Sequence, residues 1–335
     1  MTSDALVADG ARRTGRLPAR PTRVNPLDAY SGLGRRLRRL RLKEWVGFTL
    51  LSPEFASSMI LQDAGYLASS EIYVRSLRTG TLTQHARNAR AGSLRLAERL
   101  YGSRPEIAHP GYRIAYEWGA EGGEHRVTVD VDASASDAPI RMSLVLHGAA
   151  ASAPLSVSSP LPGGAMYTHK AAFPVSGVVE AGAERFELDP ARDLALLDEH
   201  RTFLPYRTSW TWGTFAQALP AGIVGANFAA RPSVDGAEEE SGLWVPGAVE
   251  PLEGITFDRS SDADLATWRM TSADGRLDVT FTPEGHKSVR HQLVLAAIDY
   301  HQWFGTYTGL VRSTDGPAYE IREARGVCET MRARL

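Results

Sequence analysis

The sequence predicts an all-β protein: two antiparallel β-barrel or sandwich domains behind a basic N-terminal arm. Three observations carry this. Apolar residues alternate with polar ones in several separate runs, as half-buried antiparallel strands require. Turn-forming pairs punctuate those runs. Segments with the 3.6-residue spacing of a helix are scarce. With 335 residues the chain fits two domains or one large one.

In chain order, residues 1–30 are rich in Ala, Arg, Pro, Gly and Asp without periodicity, so a poorly ordered arm is expected there. Residues 1–43 hold eleven Lys or Arg against three Asp, so this end carries +8 while the whole chain carries −2. Its densest part is Arg35, Arg36, Arg38, Arg39, Arg41 and Lys43, interspersed with Leu33, Leu37, Leu40 and Leu42. Such a segment is a solvated arm or a helix packed on its own acidic body, in preference to a nucleic-acid or anionic-surface contact. The expected organisation is an arm over 1–40, partly disordered, an N-terminal β domain over 41–190 and a C-terminal β domain over 191–335.

Ile114, Tyr116 and Trp118 form the first clear alternating run, followed by Val127, Val129 and Val131, then Ile140, Met142, Leu144 and Leu146. Leu277, Val279 and Phe281 repeat the pattern near the end. Gly122-Gly123, Ser136 to Pro139, Pro162 to Gly164, Asp274-Gly275 and Asp315-Gly316 supply turns. Residues 82–101 break the texture: Leu94, Leu96, Ala97, Leu100 and Tyr101 among Arg and Glu suggest a helix on the rim of the sheets. Residues 233–242 are polar and read as a loop.

No run of 18 apolar residues appears, so no membrane span is expected. The start lacks the apolar core of a secretory signal, which points to the cytoplasm. Cys328 is the single cysteine, so an intrachain disulfide and a thiolate zinc site are both excluded. The chain has no G-x-S-x-G elbow, Walker loop, G-x-G-x-x-G after a strand, H-E-x-x-H or C-x-x-C. Its nine histidines are scattered singly. No metal and no organic cofactor are therefore expected.

The richest stretch for chemistry is 198–212. Tyr206, Thr208, Trp210 and Trp212 recur with period 2, so an extended strand points them to one face. Asp198, Glu199, His200, Arg201 and Arg207 lie upstream or between them. An aromatic wall beside ionisable groups is what a ligand pocket needs. Plain core packing is the competing reading. In 166–174, Thr168 and Lys170 share one face, Tyr167 and His169 the other. A lysine on an apolar strand must snorkel, pair or shift its pKa. In 299–307, His301, Trp303 and Tyr307 share a face, and 62–66 places Asp63 near a turn and Tyr66 at a strand start.

Asp198, Tyr206, Lys170 and His200 are thus the candidate catalytic residues. Trp210, Trp212, Arg201, Tyr167, His301 and Trp303 are the candidate substrate-binding residues. Asp198 has two competing roles. As a general acid in an aromatic pocket its pKa would rise; paired with Arg201 to fix the turn before Pro205, it would fall.

Several segments in order resemble the domain-of-unknown-function family 2804, from about Trp45 to the C-terminus. They are Lys43-Glu44-Trp45; Tyr167 to Lys170 followed by Phe173 to Gly177; Leu197-Asp198 and Pro205 to Trp212; Val279 to Pro283; and His301 to Gly305 with Gly309. The resemblance implies two lipocalin-like domains, similar to carotenoid 1,2-hydratases and certain fungal natural-product cyclases. Asp198 to Thr202 lacks both glycines of the family's turn, and Asp235 to Glu240 matches its acidic loop only in part; these departures imply a divergent member with its own ligand.

Composition and resemblance together lead to a cofactor-independent hydratase, isomerase or cyclase acting on a hydrophobic, unsaturated small molecule such as a terpenoid or polyketide. A non-catalytic lipid- or metabolite-binding protein is the alternative, and a ligand-free interaction module the third. A monomer or homodimer is expected.

Overall fold

The computed structural model describes residues 4–231, 240–292 and 297–334. Nearly all of it is antiparallel β-structure in two sheets. The larger has 13 strands and curls into a nearly closed barrel. Its continuous path begins at Leu82–Arg90 and passes through Leu67–Ser76, Phe55–Asp63, Lys43–Leu51 and Leu194–Thr202. It continues through Gly164–Ala181, Ile140–His147, Glu124–Val131 and Tyr112–Glu117 to Glu106–His109. The smaller has nine strands and forms a half-barrel. Arg207–Leu219, Ala318–Arg334, Ala297–Arg312 and Leu277–Gln292 lie side by side at its centre.

The alternating runs produce this directly. Ile114, Tyr116, Val127, Val129, Ile140, Met142 and Leu144 all face one core inside the larger barrel, with Phe48, Met59 and Ile72 from the opposite wall. Leu277, Val279 and Phe281 face a second core in the half-barrel, with Phe215, Phe228 and Tyr307. A third apolar cluster joins the two sheets through Leu155, Leu196, Ala216, Ile223 and Trp244. Cys328 is buried in the second core.

Three expectations are corrected. The sheets change between Thr202 and Arg207 rather than at 190, because Leu194–Thr202 lies between Lys43–Leu51 and Gly164–Ala181 in the first sheet. Residues 82–101 are not a helix. Leu82–Arg90 pairs with Leu67–Ser76, and Leu94, Leu96 and Leu100 follow as a loop that caps the barrel core. Pairing with an open sheet edge overrides local propensity here. The loop expected over 233–242 falls largely on residues 232–239, outside the described residues; Glu240 and Ser241 are buried and Gly242 already opens a strand.

The third correction concerns the arm. Leu6, Val7, Leu17 and Val24 are buried against Tyr167, and Gly15–Leu17 pairs with Leu155–Leu161. Asn25 clasps the backbone of Val7, accepting from its N–H at 3.0 Å and donating to its carbonyl at 2.9 Å. Arg20 donates twice to Glu199, at 2.7 and 2.8 Å, deep in the protein. Burial pushes the Glu199 carboxyl up, but Arg20, helped by Arg201, outweighs it and holds it down to about 2. The arm's apolar residues are few and irregularly spaced, so they show no period, yet they gather in one cluster around Tyr167.

Arg20→Met is expected to lose about 3–5 kcal/mol in urea denaturation, the usual result of removing one partner of a buried ion pair. Deleting residues 1–30 should lower the melting temperature by more than Arg20→Met does.

Candidate active site between the sheets

Strand register assembles the site. Gly164–Ala181 and Leu194–Thr202 pair so that Lys170 lies opposite Asp198 and Thr168 opposite His200. Directly opposed residues in an antiparallel pair project to the same face. The next strand sets Trp45 opposite His200. Its ring stacks on the imidazole at 4.3 Å, and its indole N–H donates to Asp198 at 2.9 Å.

This face looks toward the second sheet, where Glu240 stands just ahead of the strand Gly242–Val245. One Glu240 oxygen lies 3.4 Å from Lys170 Nζ and 3.5 Å from His200 Nε2. Arg231 holds the other oxygen at 2.5 Å. Lys170 Nζ is ion-paired to Asp198, and His200 Nε2 is 3.1 Å from that carboxylate. The ammonium also sits 4.9 Å above the ring of Trp212.

The electrostatics follow from burial and pairing. Burial drives the Lys170 ammonium toward deprotonation, but Asp198 and Glu240 reverse this and raise its pKa. Burial works against both carboxylates too. Lys170 and His200 hold Asp198 far below the ordinary range, and Arg231 with Lys170 does the same for Glu240. Lys170, Asp198 and Glu240 are thus all held in their charged forms.

Beside it lies a cavity of about 320 Å³ between the two sheets. Trp45, Met59, Ile60, Trp210, Trp212, Ile298 and Met331 give it apolar walls. Asp198 reaches it, keeping 31 % of its side-chain surface, while Lys170 lies behind and is nearly fully covered. Glu329 enters from the other sheet, opposite Trp212 and Gln302 in register. Trp210 and Tyr300 each donate to it at 2.8 Å, and Tyr73 links to Gln302 at 2.9 Å. Burial raises the Glu329 pKa; the Trp210 and Tyr300 hydrogen bonds oppose this and the nearby Asp198 anion adds to it. At the rim, burial and Arg41 bring the Lys43 ammonium down to about 8.

The structure brings Lys170, Asp198, His200, Trp210 and Trp212 together and leaves the other predicted residues elsewhere. Tyr206 precedes its strand, is 49 % exposed and does not line the cavity. Arg201 and Tyr167 point to the opposite face. There Arg201 meets Glu44 at 3.0 Å and Glu199 at 3.3 Å, and Tyr167 meets Ser156. Asp198 and Arg201 differ in strand parity, so the ion pair considered between them does not form. The Asp198 pKa falls because of Lys170 and His200, not Arg201, so its carboxyl is held in the charged form. His301 and Trp303 also miss the cavity. Their neighbours Tyr300 and Gln302 face it, while Trp303 donates to the Asp264 carbonyl and stacks on His286.

Glu329, Glu240, Trp45 and Tyr73 were not singled out as site residues from the sequence. Tyr300 stood within a quoted segment on the wrong parity. Nothing around Glu329 in sequence marks it; register alone places it beside Trp212. Among the described residues, no three His, Cys, Asp or Glu side chains are grouped as a metal site.

The family pattern of the domain of unknown function DUF2804 matches residues 11–335. The chain belongs to the DUF2804 family. This DUF2804 protein also resembles solved structures. Those of CghA with Sch210972 and of CghA alone have TM-scores of 0.53 and 0.52, with 11 % identity over 88 % of each chain. Kievitone hydratase from Nectria haematococca has a TM-score of 0.45 and 10 % identity over 96 % of this chain and 98 % of its own. What the CghA likeness shows is the fold. No curated protein sequence matches the chain.

Two outcomes test the electrostatics. The folded state holds the Glu329 proton to higher pH than the unfolded chain does, so its contribution to stability is complete in acid. That contribution is lost as pH rises from about 4.3 through the raised value. Glu329→Gln should therefore flatten the pH dependence of the melting temperature within that window. Lys170→Met should cost about 3–5 kcal/mol at neutral pH. That deficit should narrow on acidification, since the wild type alone loses the benefit of a depressed Asp198 pKa as pH falls.

Proposed function

We propose that this protein is a cofactor-independent enzyme that transfers a proton to and from a hydrophobic, unsaturated small molecule, as a hydratase, isomerase or cyclase. One observation carries the reading. Two carboxyl groups line one aromatic cavity and are pushed in opposite directions, Glu329 up and Asp198 down. Titratable neighbours whose environments separate their pKa values divide the roles of acid and base.

Glu329 is the proton donor. Trp210 and Tyr300 fix its orientation through their hydrogen bonds. Asp198 is the acceptor, or the anion that steadies developing positive charge. Lys170 and Trp45 hold its carboxylate in place, which makes them positioning residues. The faces of Trp45, Trp210 and Trp212 add further stabilisation for a cation formed when a double bond is protonated. A cavity of about 320 Å³ suits a small molecule, and its apolar walls favour a greasy one.

A specific feature favours a second reading, a non-catalytic binder of lipid or metabolite: Lys170, Asp198 and Glu240 satisfy one another internally. The two readings separate in one experiment. Native mass spectrometry of protein isolated from its own host identifies the co-purifying molecule, which is then incubated with protein in deuterium oxide. The enzyme reading expects deuterium to enter carbon positions of the ligand or product. Glu329→Gln and Asp198→Asn should each slow this by about a hundredfold or more while still binding. A ligand that binds and stays unchanged selects the binder. Variants that turn over at the wild-type rate overturn the assignment of both carboxyl groups.

A further inference from the structure

The helix Gly32–Arg41 is built inside out. At 3.6 residues per turn, Leu33, Leu37 and Leu40 fall on one narrow stripe. On an ordinary surface helix such a stripe faces the core. Here the three leucines are 71 %, 59 % and 53 % exposed, and no residue of the helix is buried.

The arginines make the attachment instead. Arg35 pairs with Asp28 at 2.6 Å. Arg38 lies over the Tyr30 ring at 4.9 Å and donates to the Gly163 carbonyl at 2.8 Å. Arg39 bridges Glu44 and Asp63 at 2.7 and 2.6 Å. These three occupy the side away from the leucines. Arg36 and Arg41, both exposed, flank the leucine stripe. Three arginine anchors, two of them ion-paired, thus hold an apolar stripe with basic edges toward the outside.

The stripe continues to the cavity. Leu40 and Arg39 carbonyls pack against Gly65 so closely that a Cβ there would lie 2.5 Å from the Arg39 oxygen; with φ at +87°, this position is reserved for glycine. Lys43 joins the Leu40 and Ala64 carbonyls and sits 4.5 Å over the Tyr66 ring. Tyr66 and Leu67, 54 % and 38 % exposed, are themselves part of the cavity lining.

We propose that this face docks the protein on an anionic lipid bilayer, with the cavity mouth against the lipid. Exposed leucines beside arginines are the composition of an interfacial helix, in which apolar side chains enter the acyl boundary and cations meet the headgroups. Lipid matches both features at once: the leucines need an apolar medium, and Arg36, Arg41 and Lys43 need negative charge. A nucleic acid would leave the leucines in water. The proposal stands whether the cavity is catalytic or only binds.

The test is co-sedimentation of the full chain with vesicles of phosphatidylcholine alone and of phosphatidylcholine mixed with phosphatidylglycerol. The expected result is binding to the mixed vesicles, weakened by added salt. The triple variant Leu33→Ser, Leu37→Ser and Leu40→Ser should bind at least about tenfold more weakly, because three apolar side chains no longer leave water. Its melting temperature should match the wild type, since these leucines support no core. Triple-variant binding equal to the wild type overturns the proposal. So does failure to bind mixed vesicles together with a dimer in sedimentation velocity that the triple variant abolishes, an outcome that assigns the face to a second copy of the chain.

Discussion

A buried lysine keeps its charge only if anions come to it, and Lys170 draws one from each sheet. Asp198 arrives on the neighbouring strand of the larger barrel and Glu240 from the half-barrel. Each of these groups alone would be driven toward its neutral form by burial. Together they stay charged, and the cluster fixes how the two sheets face each other at this point. The apolar contacts around Leu196, Ala216 and Trp244 bring the sheets together but are non-directional; the ion cluster adds a geometric requirement.

The same cluster polarises what lies beside it. Asp198 takes its negative charge to the cavity surface, and that charge helps to keep the proton on Glu329 across the gap. Structural and chemical roles therefore belong to one network. A change that loosens the cluster shifts the charge states of both cavity carboxyl groups together, which is why stability and activity have to be read separately in any variant.

Strand parity explains much of what was and was not legible in the sequence. Period-2 alternation located the strands around Ile114, Val127, Ile140 and Leu277, and their apolar residues do fill the two cores. The segment 198–212 was visible as an aromatic wall, and Lys170 as a lysine that had to pair. Alternation also says that Arg201 and Asp198 lie on different faces. It does not say which face of the 299–307 strand meets a cavity, and there Tyr300 rather than His301 is the answer. The arm's docking is not legible in the sequence because it rests on a few irregularly spaced apolar residues and on Arg20, none of which generates a period.

By itself, then, the sequence determined the all-β class, the strand pattern, the supply of aromatic and ionisable groups and the family. These are local or compositional properties, written in the spacing of neighbouring residues. The tertiary structure decided which of those groups meet. Glu240 lies beyond Lys170 by seventy positions and Glu329 beyond Trp210 by more than a hundred, and only the register of paired strands and the facing of two sheets close those separations. The charge states were decided at the same level, because burial and partners set them and neither exists until the chain has folded.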